Sequence, residues 1–318
     1  MQSIRYMTNS ESNFVRIIKE ICAEEQINLT SYSFDWIFEL EKDGKINYIL
    51  GYQFGLNPAS VNSICCDKAA ASEILTAHGI PNIEHRLFAS PGEQKFVGKT
   101  GCWAQLTELL KERGTLVIKP NDGTGGDRVF KVSNAYELET AVHTIYEKSG
   151  YLAASPFYEI ANEYRTIMLD GTARLVYVKR RPHITGDGIS TVAELMVRQL
   201  ERQPNLNVND IPALGAADRV PKKGEEILLG WKHNLGLGAR AEVLPEGPVK
   251  HEIERIVADV TRCLGVRFAS IDVSETSEGL KVLEINSGVM MENFAGQDAR
   301  GRETAKSIYR DAIRLMFA

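Results

Sequence analysis

The stretch that decides the fold of this chain is residues 267–286, Arg-Phe-Ala-Ser-Ile-Asp-Val-Ser-Glu-Thr-Ser-Glu-Gly-Leu-Lys-Val-Leu-Glu-Ile-Asn. Residues 267–273 are mostly apolar and β-branched or aromatic, which predicts a strand. Residues 274–279 are typical of a turn, and residues 280–285 predict a second strand. Together they predict a β-hairpin near the end of the chain.

Three polar side chains of this hairpin are expected to converge. Residues two apart in a strand share a face, so Glu284 and Asn286 point the same way, and pairing of the strands brings Asp272 beside them. Two carboxylates and an amide oxygen suit a hard cation such as Mg²⁺ or Mn²⁺, and Mg²⁺ usually shares its remaining positions with nucleotide phosphates. The alternative is an amphipathic hairpin with solvated acids. An acid followed by Ile and Asn on an apolar strand favours the metal site.

The composition bounds the class of protein. A chain of 318 residues, 43% hydrophobic and 25% charged, can form two or three subdomains with a substantial core. A net charge of −5 without long like-charge runs argues against a nucleic-acid partner. No stretch is typical of a membrane span or a signal peptide. The five cysteines lack metal-ligand spacing, and Cys65 and Cys66 are adjacent, so we expect reduced thiols and a cytoplasmic protein.

Residues 1–66 are expected to form a small N-terminal α/β unit. An amphipathic helix comes first, followed by strands over residues 32–40 and 45–50 that are joined through Asp43-Gly44. The apolar face of that helix contains Phe14, Ile17, Ile18, Ile21 and Cys22. A second helix is predicted over residues 67–78, and the stretch 203–221 is polar and broken.

A glycine-rich loop follows a short apolar strand. The strand, residues 115–120, has Lys119 near its end, and the loop at 121–128 separates it from a strand at 129–132. Glycine has no Cβ, so the backbone N–H groups of such a loop can approach phosphate closely. The loop residues concerned are Gly123, Thr124, Gly125 and Gly126. No Gly-Lys-Ser/Thr follows, which excludes a P-loop, and an ordinary hairpin turn is the alternative.

A second hairpin carries several charges. Its first strand, residues 163–169, places Glu163 and Arg165 on one face, and Asp170-Gly171 predicts the turn. The returning strand ends at Lys179. Taken singly, each charge is explained by solvation, but crowding near a nucleotide site favours contact with anions.

The order of these pieces resembles the ATP-grasp superfamily over residues 67–318. Three strings are similar to the ATP-grasp part of cyanophycin synthetases and to glutathione synthetase-type carboxylate–amine ligases: residues 183–191 (HITGDGIST), 234–238 (NLGLG) and 283–288 (LEINSG). The resemblance implies an α/β (α+β) ATP-grasp fold. In it, residues 67–156 form a small subdomain whose glycine-rich loop at 121–128 acts as a flap over the phosphates. Residues 157–318 form a C-terminal subdomain with the metal site, and ATP is gripped between the two.

The resemblance also implies roles for individual residues. Residues that match nucleotide-binding positions are Lys68, Lys119 and residues 123–126 for the phosphates, Glu163 for the ribose, and Tyr158 and Glu159 on the linker beside adenine. The matching metal ligands are Asp272, Glu284 and Asn286. Asn234 and Ser287 fall where such enzymes hold an acyl phosphate, and Arg165 and Lys179 complete the set of predicted catalytic residues.

Three positions depart from the family pattern. Pro156 stands where an acid is often found, so adenine recognition must depend on backbone groups. Lys232 replaces a frequent arginine, and lysine cannot grip a carboxylate in the same bidentate way. Asn234-Leu235 is followed by Gly-Leu-Gly-Ala in place of paired glycines. These departures are compatible with nucleotide and metal binding, and they leave the identity of the substrate open.

The resemblance implies an ATP-dependent ligase that joins a small-molecule carboxylate to an amine through an acyl phosphate, with ATP and Mg²⁺ as cofactors. A homodimer is the common expectation for this resemblance. Two alternatives stay open at the level of sequence: an ATP-grasp kinase that phosphorylates a small substrate without ligation, and a nucleotide-binding regulatory protein without catalysis.

Overall fold

A computed structural model describes residues 11–97, 103–202, 206 and 217–318. The polar stretch predicted at 203–221 lies outside these ranges except for residues 206 and 217–221. The helices are α1 (Asn13–Glu24), α2 (Ala59–Cys66), α3 (Lys68–Ala77), α4 (Gln94–Val97), α5 (Trp103–Arg113), α6 (Ala135–Tyr146), α7 (Val192–Arg202), α8 (Pro248–Leu264), α9 (Glu292–Ala295) and α10 (Ala299–Phe317). The strands are β1 (Asn28–Tyr32), β2 (Ile37–Lys42), β3 (Lys45–Leu50), β4 (Gln53–Phe54), β5 (Arg86–Ala89), β6 (Leu116–Pro120), β7 (Phe130–Val132), β8 (Tyr151–Pro156), β9 (Asn162–Leu169), β10 (Thr172–Arg180), β11 (His183–Thr185), β12 (Glu226–Leu228), β13 (Arg240–Val243), β14 (Phe268–Thr276) and β15 (Gly279–Asn286).

The N-terminal part consists of α1 and an antiparallel sheet in the order β1-β2-β3-β4. Helix α1 buries the predicted apolar face and begins after Ser12, whose side chain accepts from the backbone N–H of Val15. The single strand predicted over residues 32–40 is wrong, because β1 ends at Tyr32 and β2 begins at Ile37. Between them Ser33, Phe34 and Asp35 all have positive φ, which reverses the chain. The predicted Asp43-Gly44 hairpin is confirmed.

The next part of the chain is organised around the antiparallel sheet β5-β8-β6-β7. Helices α5 and α6 cover this sheet and share a core with it. Helix α6 begins with a reciprocal cap: Asn134 Oδ1 accepts from the N–H of Glu137, and the Glu137 carboxylate accepts from the N–H of Ser133. The glycine-rich loop at 121–128 leaves this sheet between β6 and β7.

The largest sheet has the order β13-β10-β9-β14-β15 and contains both hairpins predicted from the sequence. One of its faces packs against α8. The opposite face is apolar at one end, where side chains such as Ile167 and Tyr177 share a core with α1, α10 and the N-terminal sheet. The other end of that face is charged. The N-terminal part therefore covers the apolar half of the sheet and leaves its charged half for a cleft.

Helix α2 was not predicted. It begins after Pro58, carries only one fully buried side chain (Cys65), and packs with α3 against β15 rather than on the N-terminal sheet. Asp67 caps α3 as predicted, with its side chain accepting from the N–H of Ala70. The mixed α+β class is confirmed. Within the described ranges, no helix is long and apolar enough to cross a membrane.

Candidate functional site

Four charged side chains meet on the charged half of the large sheet. Arg165 on β9 and Asp272 on β14 are register partners, and Arg165 donates from Nε to Oδ1 at 2.7 Å and from Nη2 to Oδ2 at 2.6 Å. Lys179 Nζ on β10 lies 2.9 Å from Asp272 Oδ2 and donates to Glu163 Oε1 at 2.5 Å. The sequence placed Glu163 and Arg165 on one face, and the sheet brings both to Lys179 and Asp272.

Burial makes these charges depend on one another. Burial alone would raise the pKa of Asp272, but Arg165 and Lys179 beside it reverse this and hold it well below its usual range. Burial raises the pKa of Glu163, and the neighbouring Asp272 adds to this effect against the attraction of Lys179. Burial and Arg165 both oppose the charge on Lys179, yet Asp272 and Glu163 raise its pKa. The cluster is thus a compensated network in which Asp272 pairs with two cations.

The predicted metal ligands lie together at the edge of this network. Asp272 and Glu284 are register partners, and Asn286 Nδ2 donates to Glu284 Oε1 at 3.2 Å. The register shifts by one residue at Leu283, and this bulge turns Glu284 to the face of Asp272. In the described part of the chain, no cluster of three or more His, Cys, Asp or Glu side chains is arranged to hold a metal.

The oxygen donors nevertheless suit a hard cation. An ionised carboxylate has about four lone-pair sites. Arg165 and Lys179 take three of those of Asp272, which leaves this residue one site for a metal. Glu284 carries no cation partner among the described residues. The donor set therefore fits Mg²⁺, with Glu284 and Asn286 the more accessible ligands.

Lys119 is a buried cation without a counter-ion in contact. It is 6% exposed, and among the described residues its Nζ makes no hydrogen bond or ion pair. Burial lowers its pKa to about 8; the nearby charges of Glu284, Glu163 and Asp272 act against this and that of Lys68 adds to it. A buried ammonium group of this kind would be stabilised by an anionic ligand.

The glycine-rich loop lies over this region and is held from two sides. Lys68 Nζ donates to the carbonyl oxygens of Gly123 and Asn121, and Asn121 Oδ1 accepts from the N–H of Ala69 at the start of α3. On the other side, Asn234 Nδ2 donates to the carbonyl oxygen of Gly125 at 2.8 Å. Lys68, predicted to contact phosphate, thus contacts the flap backbone.

The remaining predicted residues lie around the same region. Tyr158 and Glu159 are on the linker between β8 and β9; Tyr158 is half-buried, with Lys281 Nζ 5.6 Å from its ring centre, and Glu159 is exposed. Ser287 follows β15 and is buried, with its Oγ 3.9 Å from Cys66 Sγ.

A cleft connects the flap with the edge of β15. Predicted residues that line it are Lys68, Gly123, Thr124, Glu284 and Asn286, and they are joined by Cys66, Ser72, Asn82 and His85, which the sequence did not single out. His85 is 5% exposed, and its Nε2 has no partner among the described residues. Burial, with Lys119 and Lys68 nearby, lowers the pKa of His85 well below its ordinary value, so the ring is neutral.

Another histidine was also missed. His233 is buried, and its Nδ1 donates to the backbone carbonyl of Lys179 at 2.9 Å, which fixes the end of β10 against the loop that carries Asn234. Burial lowers its pKa. No sequence signal pointed to either histidine, because neither belongs to a spaced motif.

Comparison with known proteins gives relatives with one shared architecture. No protein-family model matches the chain. The chain is 26% identical over 260 residues to the glutathione biosynthesis bifunctional protein of Lactiplantibacillus plantarum (74% of this chain, 32% of that protein). It is 25% identical over 252 residues to the cyanophycin synthetase of Nostoc sp. (73% and 26%). The chain thus spans about a third or less of these curated relatives.

Solved structures resemble the chain at low sequence identity. A bifunctional glutathione synthetase from Pasteurella multocida superposes with a TM-score of 0.55 at 15% identity, over 93% of this chain and 44% of that one. A D-alanine–D-alanine ligase from Bacillus anthracis superposes with a TM-score of 0.52 at 16% identity, over 83% and 71%. The shared fold and the sequence relatives confirm the resemblance to the ATP-grasp superfamily that the order of motifs predicts.

Proposed function

We propose that this chain is an ATP-dependent ligase that joins a small-molecule carboxylate to an amine, with ADP and phosphate as the other products. The observation that carries the proposal is Lys119, a buried and unpaired ammonium group beside a glycine-rich flap and an acidic strand edge. A triphosphate supplies the negative charge that this group lacks, and the backbone of residues 123–126 can approach it closely.

The rest of the nucleotide is assigned by position. Adenine would lie against the linker at Tyr158 and Glu159, and the ribose near Glu163 at the start of β9. Lys68 and Lys119 would lie on the phosphate side. Glu284 and Asn286, with the remaining lone pair of Asp272, would hold Mg²⁺ or Mn²⁺. When bound, the metal would supply neutralising charge for the phosphates.

The proposed chemistry is electrostatic and requires no covalent attachment of a side chain. A substrate carboxylate oxygen attacks the γ-phosphorus, the bond from that phosphorus to ADP breaks, and an acyl phosphate results. The amine nitrogen then attacks the acyl carbon, the carbon–oxygen bond to phosphate breaks, and the amine loses a proton to solvent. Arg165 and Lys179 are held by Asp272, and their positive charges would stabilise the anionic intermediate.

The substrates are proposed more broadly than the nucleotide. The relatives are named for glutathione biosynthesis, cyanophycin synthesis and D-alanine–D-alanine ligation, which supports amino acids or small peptides as the class of substrate. Lys232 stands where the family resemblance leads us to expect an arginine, and its single ammonium group would hold the carboxylate without the bidentate contact of a guanidinium. A homodimer stays a prediction.

Product analysis tests the proposal. The protein is incubated with ATP, Mg²⁺ and pooled amino acids and small carboxylates, with ADP and AMP scored separately and condensed products sought by mass. ADP together with a new amide is expected. ADP with a phosphorylated, uncondensed product would indicate a kinase, and release of AMP would overturn the acyl-phosphate route.

A further inference from the structure

Asn234 lies between the two glycine-rich loops of the chain and uses both ends of its amide group. Its Oδ1 accepts from the N–H of Gly236 at 2.8 Å and so caps the short 3₁₀ helix Leu235–Leu237. Its Nδ2 donates to the carbonyl oxygen of Gly125, also at 2.8 Å. One side chain therefore joins the flap of the small sheet to a loop that precedes β13 of the large sheet.

The flap backbone comes unusually close to this side chain. A Cβ at Gly126 would lie 2.8 Å from Asn234 Nδ2, whereas a Cβ at Gly125 would meet nothing within 4 Å. The two glycines have nearly equal backbone angles, with φ of +71° at Gly125 and +74° at Gly126. The positive φ favours glycine at both positions. Only at position 126 does the close approach of Asn234 also leave no room for a Cβ.

Strand β13, which follows the loop of Asn234, is hydrogen-bonded in turn to the segment after the β14–β15 hairpin. The side chain of Gln297 accepts from the N–H of Ala241 at 2.7 Å and donates to its carbonyl at 3.0 Å. Asn293 lies beside Gly236, and the segment between these residues and β15 begins with Ser287. A contact at the flap can thus report on the ordering of this segment.

We propose that Asn234 is a positioning residue that latches the flap closed and links its closure to the loop at 232–239. The inference rests on the proposed function and assigns Asn234 to the flap, in place of the direct contact with an acyl phosphate expected from the family resemblance. A closed flap excludes water from an acyl phosphate, so the latch preserves the intermediate until the amine arrives. Loss of the latch lets water hydrolyse it.

Two substitutions separate the halves of the contact. Asn234→Asp keeps an oxygen that accepts from Gly236 but loses the donor to Gly125 and sets a carboxylate against its carbonyl. Gly126→Ala inserts a methyl group against Asn234, and Gly125→Ala is its matched control, with a similar positive φ and no such approach. The first readout is hydrogen exchange of the flap amides, residues 121–128, in the nucleotide-free protein.

We expect Asn234→Asp and Gly126→Ala to speed flap exchange about five- to tenfold, the effect of one lost hydrogen bond, with a clearly smaller change in Gly125→Ala. Wild-type exchange in Asn234→Asp, or equal changes in the two glycine variants, would overturn the latch. This readout needs no turnover, so it decides the contact even if the protein consumes no nucleotide.

The second readout is the ratio of ADP formed to amide formed. With the latch weakened, the ratio should rise several-fold in Asn234→Asp, because intermediate is lost to water, while ADP formation persists. A parallel fall of both products at an unchanged ratio would overturn the coupling. A wild-type protein that forms no ADP with any substrate pool would instead refute the proposed function and leave the exchange result standing.

Discussion

Arg165 and Asp272 face each other across two neighbouring strands and are joined by two short hydrogen bonds, 2.7 Å from Nε and 2.6 Å from Nη2. Lys179 approaches the same carboxylate at 2.9 Å. Asp272 is thus the anion that compensates two buried cations, in addition to any role toward a metal. Glu284, the register partner of Asp272 on β15, forms no ion pair with a cation among the described residues.

This difference predicts unequal stability effects for substitutions of two proposed metal ligands. Asp272→Asn leaves Arg165 without its counter-ion and Lys179 with Glu163 alone, and the free energy of unfolding should fall by about 3–5 kcal/mol, as for other broken buried pairs. Glu284→Gln keeps the side-chain oxygen that accepts from Asn286, so the free energy of unfolding should change by less than about 1 kcal/mol. Turnover should nevertheless be abolished. Urea unfolding of both variants without nucleotide makes the comparison. Equal losses of unfolding free energy in the two variants would contradict the assignment of Asp272 as the anion that compensates Arg165 and Lys179.

The ammonium group of Lys119 predicts how nucleotide affinity depends on pH. Its pKa is lowered to about 8 in the free protein, and a bound triphosphate would raise it. Below this pH the cation is already present, so affinity should be constant. Above it, binding must take up a proton, and affinity should fall about tenfold per pH unit. Calorimetry with Mg-ATP between about pH 7 and about pH 9.5 measures this.

Lys119→Arg is the matched control for that experiment. Guanidinium stays charged over the whole range, so the variant should bind with an affinity that no longer falls above pH 8. A wild-type affinity that stays flat to the highest pH would show that Lys119 does not contact the phosphates. A fall of equal size in the variant would assign the titration to another group.

The hairpins were predictable because their signals are local. The Asp170-Gly171 and Asp43-Gly44 turns adopt the positive φ values that these residue types favour, and alternation then fixed which side chains share a face. That is why Glu163 with Arg165, and Glu284 with Asn286, could be placed from sequence. Their convergence with Lys119 depended on the order of motifs and the family resemblance.

Other features were decided by tertiary contacts. Helix α2 has a weak apolar pattern, and its place is set by packing on β15. His85 and His233 belong to no motif, and each becomes part of the site only because distant segments bury it. The double use of the Asn234 amide requires two loops more than 100 residues apart to meet, which no local pattern encodes.

The hydrogen bonds of Tyr309 predict that this residue stabilises the segment after the β14–β15 hairpin. Its hydroxyl, on α10, donates to the carbonyl of Val289 and accepts from the N–H of Met291, both at 2.9 Å, in a fully buried position. Tyr309→Phe leaves two buried backbone groups unsatisfied and should lower the free energy of unfolding by about 1–3 kcal/mol. Tyr136→Phe, at an exposed site, should leave it unchanged. Equal stability of the two variants would show that water replaces the hydroxyl.

Cys66 offers a direct probe of where the nucleotide binds. It is exposed and lines the cleft beside Ser287, whereas its neighbour Cys65 is buried and burial raises the pKa of that thiol to about 12. A maleimide should therefore modify Cys66 in preference to Cys65. Mg-ATP should slow modification by up to about a hundredfold at about 100 times its Kd, because the nucleotide fills the cleft through which the reagent enters.

The control for this probe is Cys66→Ser, which preserves the size of the side chain. It should lose the nucleotide-sensitive modification while keeping the affinity for Mg-ATP, since Cys66 takes no part in the proposed chemistry. Labelled positions are identified by peptide mass. If Cys66 reacts at the same rate with and without bound Mg-ATP, the nucleotide lies elsewhere, and the cleft between the flap and β15 must serve another ligand. Protection that persists in Cys66→Ser would instead belong to a different cysteine.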